Sequence, residues 1–224
     1  MTFESRILSH PHHIKPFLQD CFTASRKEGT SSPEHGIKRI ECSIPRFDLL
    51  AWLHRQRENV KFYWQDREGK IKIAALGSVC KFLSHESSNF VPMMTKMRSL
   101  YQNGNHKLRF YGGVSFHTTP KQDSMWADFG YSQWILPRVE IIETEKLSTL
   151  TFHMVQPDDL RAENELEKLD FQIHDSFENI PSLLHRSDTP HKESWKDEIE
   201  EALMSFQHNK IDKIVLARKS TFSF

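Results

Sequence analysis

The chain has 224 residues, and its 30 Lys and Arg residues balance its 30 Asp and Glu residues, so the formal net charge is zero. Because binding to a phosphate backbone normally needs a basic surplus, this balance argues against a nucleic-acid partner. No apolar run approaches the ~20 residues that cross a bilayer, and the first residues lack the apolar core of a signal peptide. We therefore predict a cytoplasmic protein without a membrane partner.

Residues 1–36 are predicted to form a loosely ordered leader, because prolines and the tract TSSPEHG interrupt any regular pattern. Three histidines in this segment, His10, His12 and His13, are open to two interpretations. They form a metal-binding patch, or they belong to a solvated N-terminus. No Cys or carboxylate cluster accompanies them, which favours the second interpretation.

Residues 37–192 are predicted to form an α+β region with largely antiparallel sheet. KRIECSIP reads as a strand, and the helix FDLLAWLHRQ follows it with Asp48 as its cap. Two β-prone runs then meet at DREG, where Gly69 can take the positive φ that a tight hairpin needs. The pattern therefore indicates hairpins with helices beside them.

The middle of the chain continues this pattern. A helix is predicted after Pro92, and LRFYGGVSF is predicted to be a strand in which paired glycines indicate a bulge or a close backbone approach. A strand is predicted from about Trp134 to Ile142, and Pro137 within it indicates an edge strand or a strand entry. A hairpin partner is predicted at Ser148–Met154. A further helix is predicted from about Asp158 to Leu169, with its charges on a solvated face.

Residues 193–224 carry the residue of greatest chemical interest. After a predicted loop, a helix spans about Glu193 to Gln207, and a strand begins at Ile211. Its apolar residues lie on both faces, which indicates burial on both sides. Lys213 sits at the mouth of this strand and either extends to water or acts as a general base. Acting as a base near neutrality requires its pKa to fall roughly three units, about 4 kcal/mol.

Four segments in order carry a resemblance to a known family. They are FYWQDREG followed by AALG, then FYGGVSF, then MWADFGYSQWILPRVEI, and finally W-x3-I-x2-AL-x2-F followed by KIDKIVLAR. Together they resemble the N-terminal half of the chorismate-utilising enzymes, and within that family the isochorismate synthases, most of all those of the menaquinone pathway. The resemblance covers most of residues 40–224.

The resemblance implies the N-terminal half of an anthranilate-synthase-like sandwich. It also implies a magnesium-dependent isomerase that converts chorismate to isochorismate. Lys213 falls on the lysine that activates water in that family, and a glutamate further along donates the proton to the departing hydroxyl. Residues 193–224 would be the start of a truncated catalytic core. The acid glutamate, the Mg²⁺ ligands and the chorismate-binding residues are expected in a missing C-terminal half, and this chain alone is expected to be inactive.

Two alternatives remain beside this hypothesis. A lysine at position 213 argues against the anthranilate synthases, which tend to carry glutamine there, but the salicylate synthases share the lysine. The other alternative is a non-catalytic binding module that has kept this half of the fold.

Overall fold

The computed structural model describes residues 6–27, 36–102, 107–117, 127–156, 159–172, 182–208 and 211–224. The chain divides into two compact units, unit 1 (Met1–Asp175) and unit 2 (Ser176–Phe224). No helix in the described ranges has both the length and the apolar character that a membrane span needs. The cytoplasmic location therefore stays a prediction.

The regular elements of the described residues are five α-helices and eleven β-strands. The helices are α1 (Ile14–Lys27), α2 (Leu49–Arg55), α3 (Phe90–Gln102), α4 (Ala162–Lys168) and α5 (Lys192–Gln207). The strands are β1 (Arg6–Ile7), β2 (Gly36–Ile44), β3 (Lys61–Gln65), β4 (Lys72–Leu76), β5 (Cys80–Ser84), β6 (Tyr111–Val114), β7 (Ser132–Leu136), β8 (Val139–Glu143), β9 (Ser148–Gln156), β10 (His185–Thr189) and β11 (Lys219–Ser223).

Unit 1 is built on a six-stranded sheet with the order β1-β2-β9-β8-β4-β3. The short β1 pairs parallel to β2, and the other neighbours are antiparallel. The predicted hairpin β3–β4 is present, with Gly69 at φ 72° in its turn. The predicted fold class, α+β with largely antiparallel sheet and flanking helices, is confirmed.

Helices α1, α2 and α4 contribute to one apolar core with one face of this sheet. Successive strand residues point to opposite faces, so Ile40, Ile141 and Leu150 face that core while their neighbours face away. Asp48 caps α2 as predicted, accepting hydrogen bonds from the amides of Leu50 at 2.9 Å and Ala51 at 3.0 Å.

The predicted leader is wrong over Ile14–Lys27, because these residues form α1. Ile14, Leu18 and Phe22 recur at helical spacing and are fully buried against the sheet. Pro16 lies in the first turn, where a missing N–H costs the helix no bond, so it does not break the helix. Residues 28–35, which hold most of the tract TSSPEHG, lie outside the described residues. The predicted boundary between residues 192 and 193 falls inside unit 2.

Pro137 separates two strands where the sequence predicted one. β7 belongs to a three-stranded sheet with the order β5-β7-β6, whereas β8 belongs to the six-stranded sheet. Since Pro137 has no N–H to donate to a ladder, the chain leaves the first sheet there and enters the second. The single strand predicted from Trp134 to Ile142 is therefore wrong, and the predicted hairpin of β8 with β9 is confirmed.

The close backbone approach predicted for the paired glycines lies at Gly112. A Cβ atom added there would stand 1.8 Å from the carbonyl oxygen of Gln133 on β7. A Cβ at Gly113 would meet its nearest neighbour, Cζ of Phe129, at 3.8 Å, an ordinary contact. The sequence therefore requires glycine at only one position of the pair.

We expect Gly112→Ala to lower the free energy of unfolding by about 1–3 kcal/mol, since backbone must move to admit the methyl group. Gly113→Ala is the matched control and should change stability much less. Urea denaturation of both variants measures the difference. Equal stability of the two would contradict the close approach.

Unit 2 contains α5 and a two-stranded antiparallel sheet of β10 with β11, in which Asp188 pairs with Ser220. The predicted helix from about Glu193 is confirmed, but the loop predicted ahead of it contains β10. The C-terminal strand predicted from Ile211 is confirmed only over Lys219–Ser223, which form β11. Residues 211–218 are not in a strand, and Val215 is 80% exposed. The residues that pair with β10 are the polar KSTFS, which begin at Lys219.

Candidate functional site

Lys213, the predicted general base, lies in the segment 211–218 between α5 and β11. Its side chain is exposed, as are those of Ile214 and Val215. The burial expected on both sides of this segment is therefore absent in unit 2. A lysine acts as a base near neutrality only when desolvation or nearby cations lower its pKa. In this chain by itself, water reaches Lys213.

The segment that carries Lys213 is fixed at its far end by an ionic cluster. Arg218 Nη2 lies 2.9 Å from Asp188 Oδ2, and Arg218 Nε donates to the carbonyl of Pro190 at 3.2 Å. Ser220 Oγ donates to Asp188 Oδ1 at 2.5 Å. The Ser220 hydrogen bond, aided by Arg186, holds the pKa of Asp188 below its ordinary value. These contacts set the register of β11 and leave Lys213 five residues away.

The described residues do not fit a magnesium site. None of their His, Cys, Asp and Glu side chains form a group of three or more that could hold a metal ion. His10, His12 and His13 do lie together, with ring centroids 4.2–5.7 Å apart, but they are exposed and are not arranged as ligands. No catalytic step can be derived through Mg²⁺ from these residues.

A buried ionic network around Arg138 lies in unit 1. The Arg138 side chain is 2% exposed, and its Nη1 lies 2.5 Å from Asp159 Oδ2. Its Nε lies 2.5 Å from Glu165 Oε2, and Nη1 also donates to the carbonyl of His153 at 2.6 Å. Burial raises the pKa of Asp159, but hydrogen bonds from Arg138 and from the Val155 amide outweigh it and hold that pKa below its ordinary value.

This network was not predicted from the sequence. The charges of the segment before and within α4 were predicted to lie on a solvated face. That holds for the exposed Glu163, Glu167 and Lys168 but is wrong for Asp159, whose side chain is 3% exposed. A signal was present in ILPRVEII, where Arg138 and Glu140 interrupt an apolar run. Charged residues inside such a strand are seldom buried unless they are paired.

His153 is a fully buried neighbour of this network. Its Nδ1–H donates to the carbonyl of Pro137 at 2.9 Å, which leaves Nε2 without a hydrogen-bond partner among the described residues. Burial, with the charges of Arg39 and Arg138, lowers the pKa of His153 to about 3. His153 is therefore neutral in the folded chain at any pH near neutrality.

We expect this histidine to make stability depend on pH. The ordinary pKa of 6.5 applies to His153 in the unfolded chain. Between pH 6.5 and about 3 the imidazole is therefore protonated in the unfolded chain and neutral in the folded chain. Stability should thus fall as the pH falls through this range, by about 1.4 kcal/mol per pH unit. Urea denaturation between about pH 6 and 5, above the ordinary carboxyl range, measures the slope.

Two substitutions test whether His153 causes this dependence of stability on pH. His153→Gln should flatten that slope, and the exposed His85→Gln should leave it steep. An unchanged slope in the His153 variant would contradict the assignment.

A second buried cluster joins the two sheets of unit 1. Glu140 is fully buried on β8 and accepts a hydrogen bond from the hydroxyl of Tyr111 on β6, while Arg109 Nη1 lies 3.4 Å away. Burial raises the pKa of Glu140, although Tyr111 and Arg109 partly oppose this. Burial and the Glu140 charge raise the pKa of Tyr111, so the phenol keeps its proton and donates. The LPRxE segment therefore supplies two buried charged residues that hold the fold together.

Sequence comparison identifies the family to which this architecture belongs. Residues 19–224 match the family described as chorismate binding enzyme. The match extends over most of the chain, and the chain belongs to the chorismate binding enzyme family.

Several curated relatives are named isochorismate synthase MenF. That of Escherichia coli K12 is 28% identical over 198 residues, covering 84% of this chain and 41% of the relative. That of Haemophilus influenzae is 26% identical, covering 83% and 38%. That of Bacillus subtilis is 23% identical, covering 73% and 39%. The chain thus spans about two fifths of the length of these relatives.

A solved structure shares the fold. It is described as MenF, the menaquinone-specific isochorismate synthase of Escherichia coli, and it superposes with a TM-score of 0.58 at 24% sequence identity. The superposition covers 92% of this chain and 46% of that one.

Proposed function

We propose that the protein containing this chain is an isochorismate synthase, which isomerises chorismate to isochorismate. The observation that carries the proposal is the family match over residues 19–224, with relatives that are named for this activity. Lys213 in KIVLAR lies within that match and supplies a residue suited to the chemistry.

In the proposed reaction Lys213 is the general base. Its neutral amine takes a proton from water, which attacks the chorismate ring, and a glutamate protonates the hydroxyl that leaves. Base and acid would each contribute typically ~10² to 10⁴ in rate. We propose that the reaction needs Mg²⁺ and that the ligands and the acid come from outside this chain. The absence of a metal-binding group among the described residues supports the outside origin of the ligands.

The exposure of Lys213 supports a further element of the proposal. The segment 211–218 carries apolar side chains that water reaches, including Ile214 at 43% exposure. We propose that the rest of the family fold covers this segment and desolvates Lys213, as a general base requires.

A chimera tests the activity. Residues 1–224 would replace the matching part of the Escherichia coli relative, and the purified protein would be supplied with chorismate and Mg²⁺. Isochorismate as the product supports the proposal. Salicylate with pyruvate would indicate the salicylate synthases instead. A folded chimera that binds chorismate without turning it over would favour a non-catalytic binding module.

We also propose that the isochorismate enters menaquinone synthesis, following the name of the structural relative. Restored menaquinone in a bacterium that lacks its own menaquinone-specific enzyme, after expression of the chimera, would support this. Growth rescue limited to a siderophore-deficient strain would contradict it.

The purified 224-residue chain should not convert chorismate, because the described residues form no metal-binding group and leave Lys213 exposed to water. Product analysis by liquid chromatography after prolonged incubation with Mg²⁺ tests this. Turnover that disappears in the Lys213→Ala variant of the same chain would contradict it.

A further inference from the structure

A cavity lies in unit 1 on the sheet face opposite the helices. Its volume is about 430 Å³, within the range of small-molecule sites. Arg39 of β2, Ile142 of β8 and Thr149 of β9 line it, and each alternates with a residue that faces the helical core. Lys107 and Arg109, which precede β6, close another side. No residue of the proposed catalytic segment contributes to it.

The lining of this cavity has a surplus of positive charge. Arg39, Lys107 and Arg109 face two carboxylates, Glu41 in the lining and Glu140 beside Arg109. Arg39 pairs with Glu41 at 2.5 Å, and Arg109 makes only a long 3.4 Å contact with Glu140. Lys107 is exposed and takes part in neither of these ion pairs. The cavity therefore carries about one uncompensated positive charge.

Unused hydrogen-bond donors accompany this charge. Arg39 Nη2 already donates to Glu41 and to Thr151 Oγ1. Lys107 is exposed, and its ammonium can donate up to three hydrogen bonds. The hydroxyl of Thr149 also lines the cavity. These groups suit a ligand with a negatively charged acceptor.

The remaining lining selects among anions. Leu108, Ile142 and Leu147 contribute apolar surface that would contact a hydrophobic ligand body. A dianion such as phosphate would meet repulsion from Glu41 and Glu140 without using that surface. We propose that this cavity is a binding site for a small monocarboxylate with an apolar ring or chain, separate from the catalytic segment.

Benzoate is the test probe, and benzamide is its neutral counterpart of the same shape. In titrations of the 224-residue chain followed by methyl NMR, benzoate should saturate in the millimolar range and shift the methyl signals of Ile142 and Leu147. Lys107→Gln should weaken benzoate binding by up to about fivefold, as loss of one exposed charge contact allows. Thr149→Val should also weaken it, and added salt should lower the affinity.

The control is Lys96→Gln, which makes the same charge change on the exposed surface of α3 and should bind benzoate as the unmodified chain does. Both lysines are exposed, so the two variants should fold alike. The proposal is overturned by equal benzoate affinity in the two variants, by benzamide binding as tightly as benzoate, by tighter binding of inorganic phosphate, or by failure of benzoate to saturate.

Discussion

Replacing Lys213 with alanine in the active chimera should lower kcat by about 10² to 10⁴, the usual contribution of a positioned general base. KM for chorismate should change much less than kcat, because the proposed role concerns the attacking water rather than substrate binding.

Two further variants separate proton transfer from charge. Lys213→Arg keeps the positive charge, but a guanidinium stays protonated at any working pH and cannot act as a base. It should therefore be as inactive as Lys213→Ala. Lys196→Ala removes an exposed lysine from α5 and should retain full activity. Activity restored by arginine would show that only the charge matters and would contradict the proposed role.

Replacing Arg138 with methionine should lower the free energy of unfolding by about 3–5 kcal/mol at neutral pH, the usual cost of breaking a buried ion pair. Methionine retains much of the side-chain volume, so the main loss is electrostatic. The carboxylate of Asp159 would remain buried without its partner, and Glu165 would lose its contact with Nε.

The pH dependence of this variant gives an independent readout. In the unmodified chain the Asp159 pKa lies below its ordinary value, so its contribution to stability is present above the unfolded pKa of about 3.8 and is lost as the pH falls through the folded value. The variant lacks that contribution, and its deficit should therefore shrink in acid. Arg98→Met, an exposed change on α3, is the control. A neutral-pH effect as small as that of the control would contradict the network.

Sequence patterns predicted elements whose determinants are local. Asp48 caps α2 because its carboxylate reaches amides two and three residues ahead, and Gly69 turns the hairpin because its φ is positive. α5 followed from apolar spacing alone. Each of these signals acts within a few residues, so the sequence displays it directly.

The errors arose where partners distant in sequence decide the outcome. β10 is polar throughout and forms because Asp188 pairs with Ser220, which follows α5 in the sequence. The apolar segment around Val215 satisfies the composition of a strand but finds no partner strand in unit 2. The environment of Asp159 depends on Arg138, 21 residues away, and no local pattern reveals that pairing. The motif around position 213 identified its lysine as a candidate base, but the sequence did not reveal that this side chain is exposed.

The pairing of β2 with β9 has a consequence for synthesis on the ribosome. Gly36 pairs with Gln156 and Ile44 with Ser148, so each residue of β2 meets its partner more than 100 residues later. At ~5–20 residues per second, β2 leaves the ribosome about 5 to 25 s before β9 exists. During that interval Ile40 and Cys42 have no complete core to enter, which makes this nascent chain a candidate for chaperone binding.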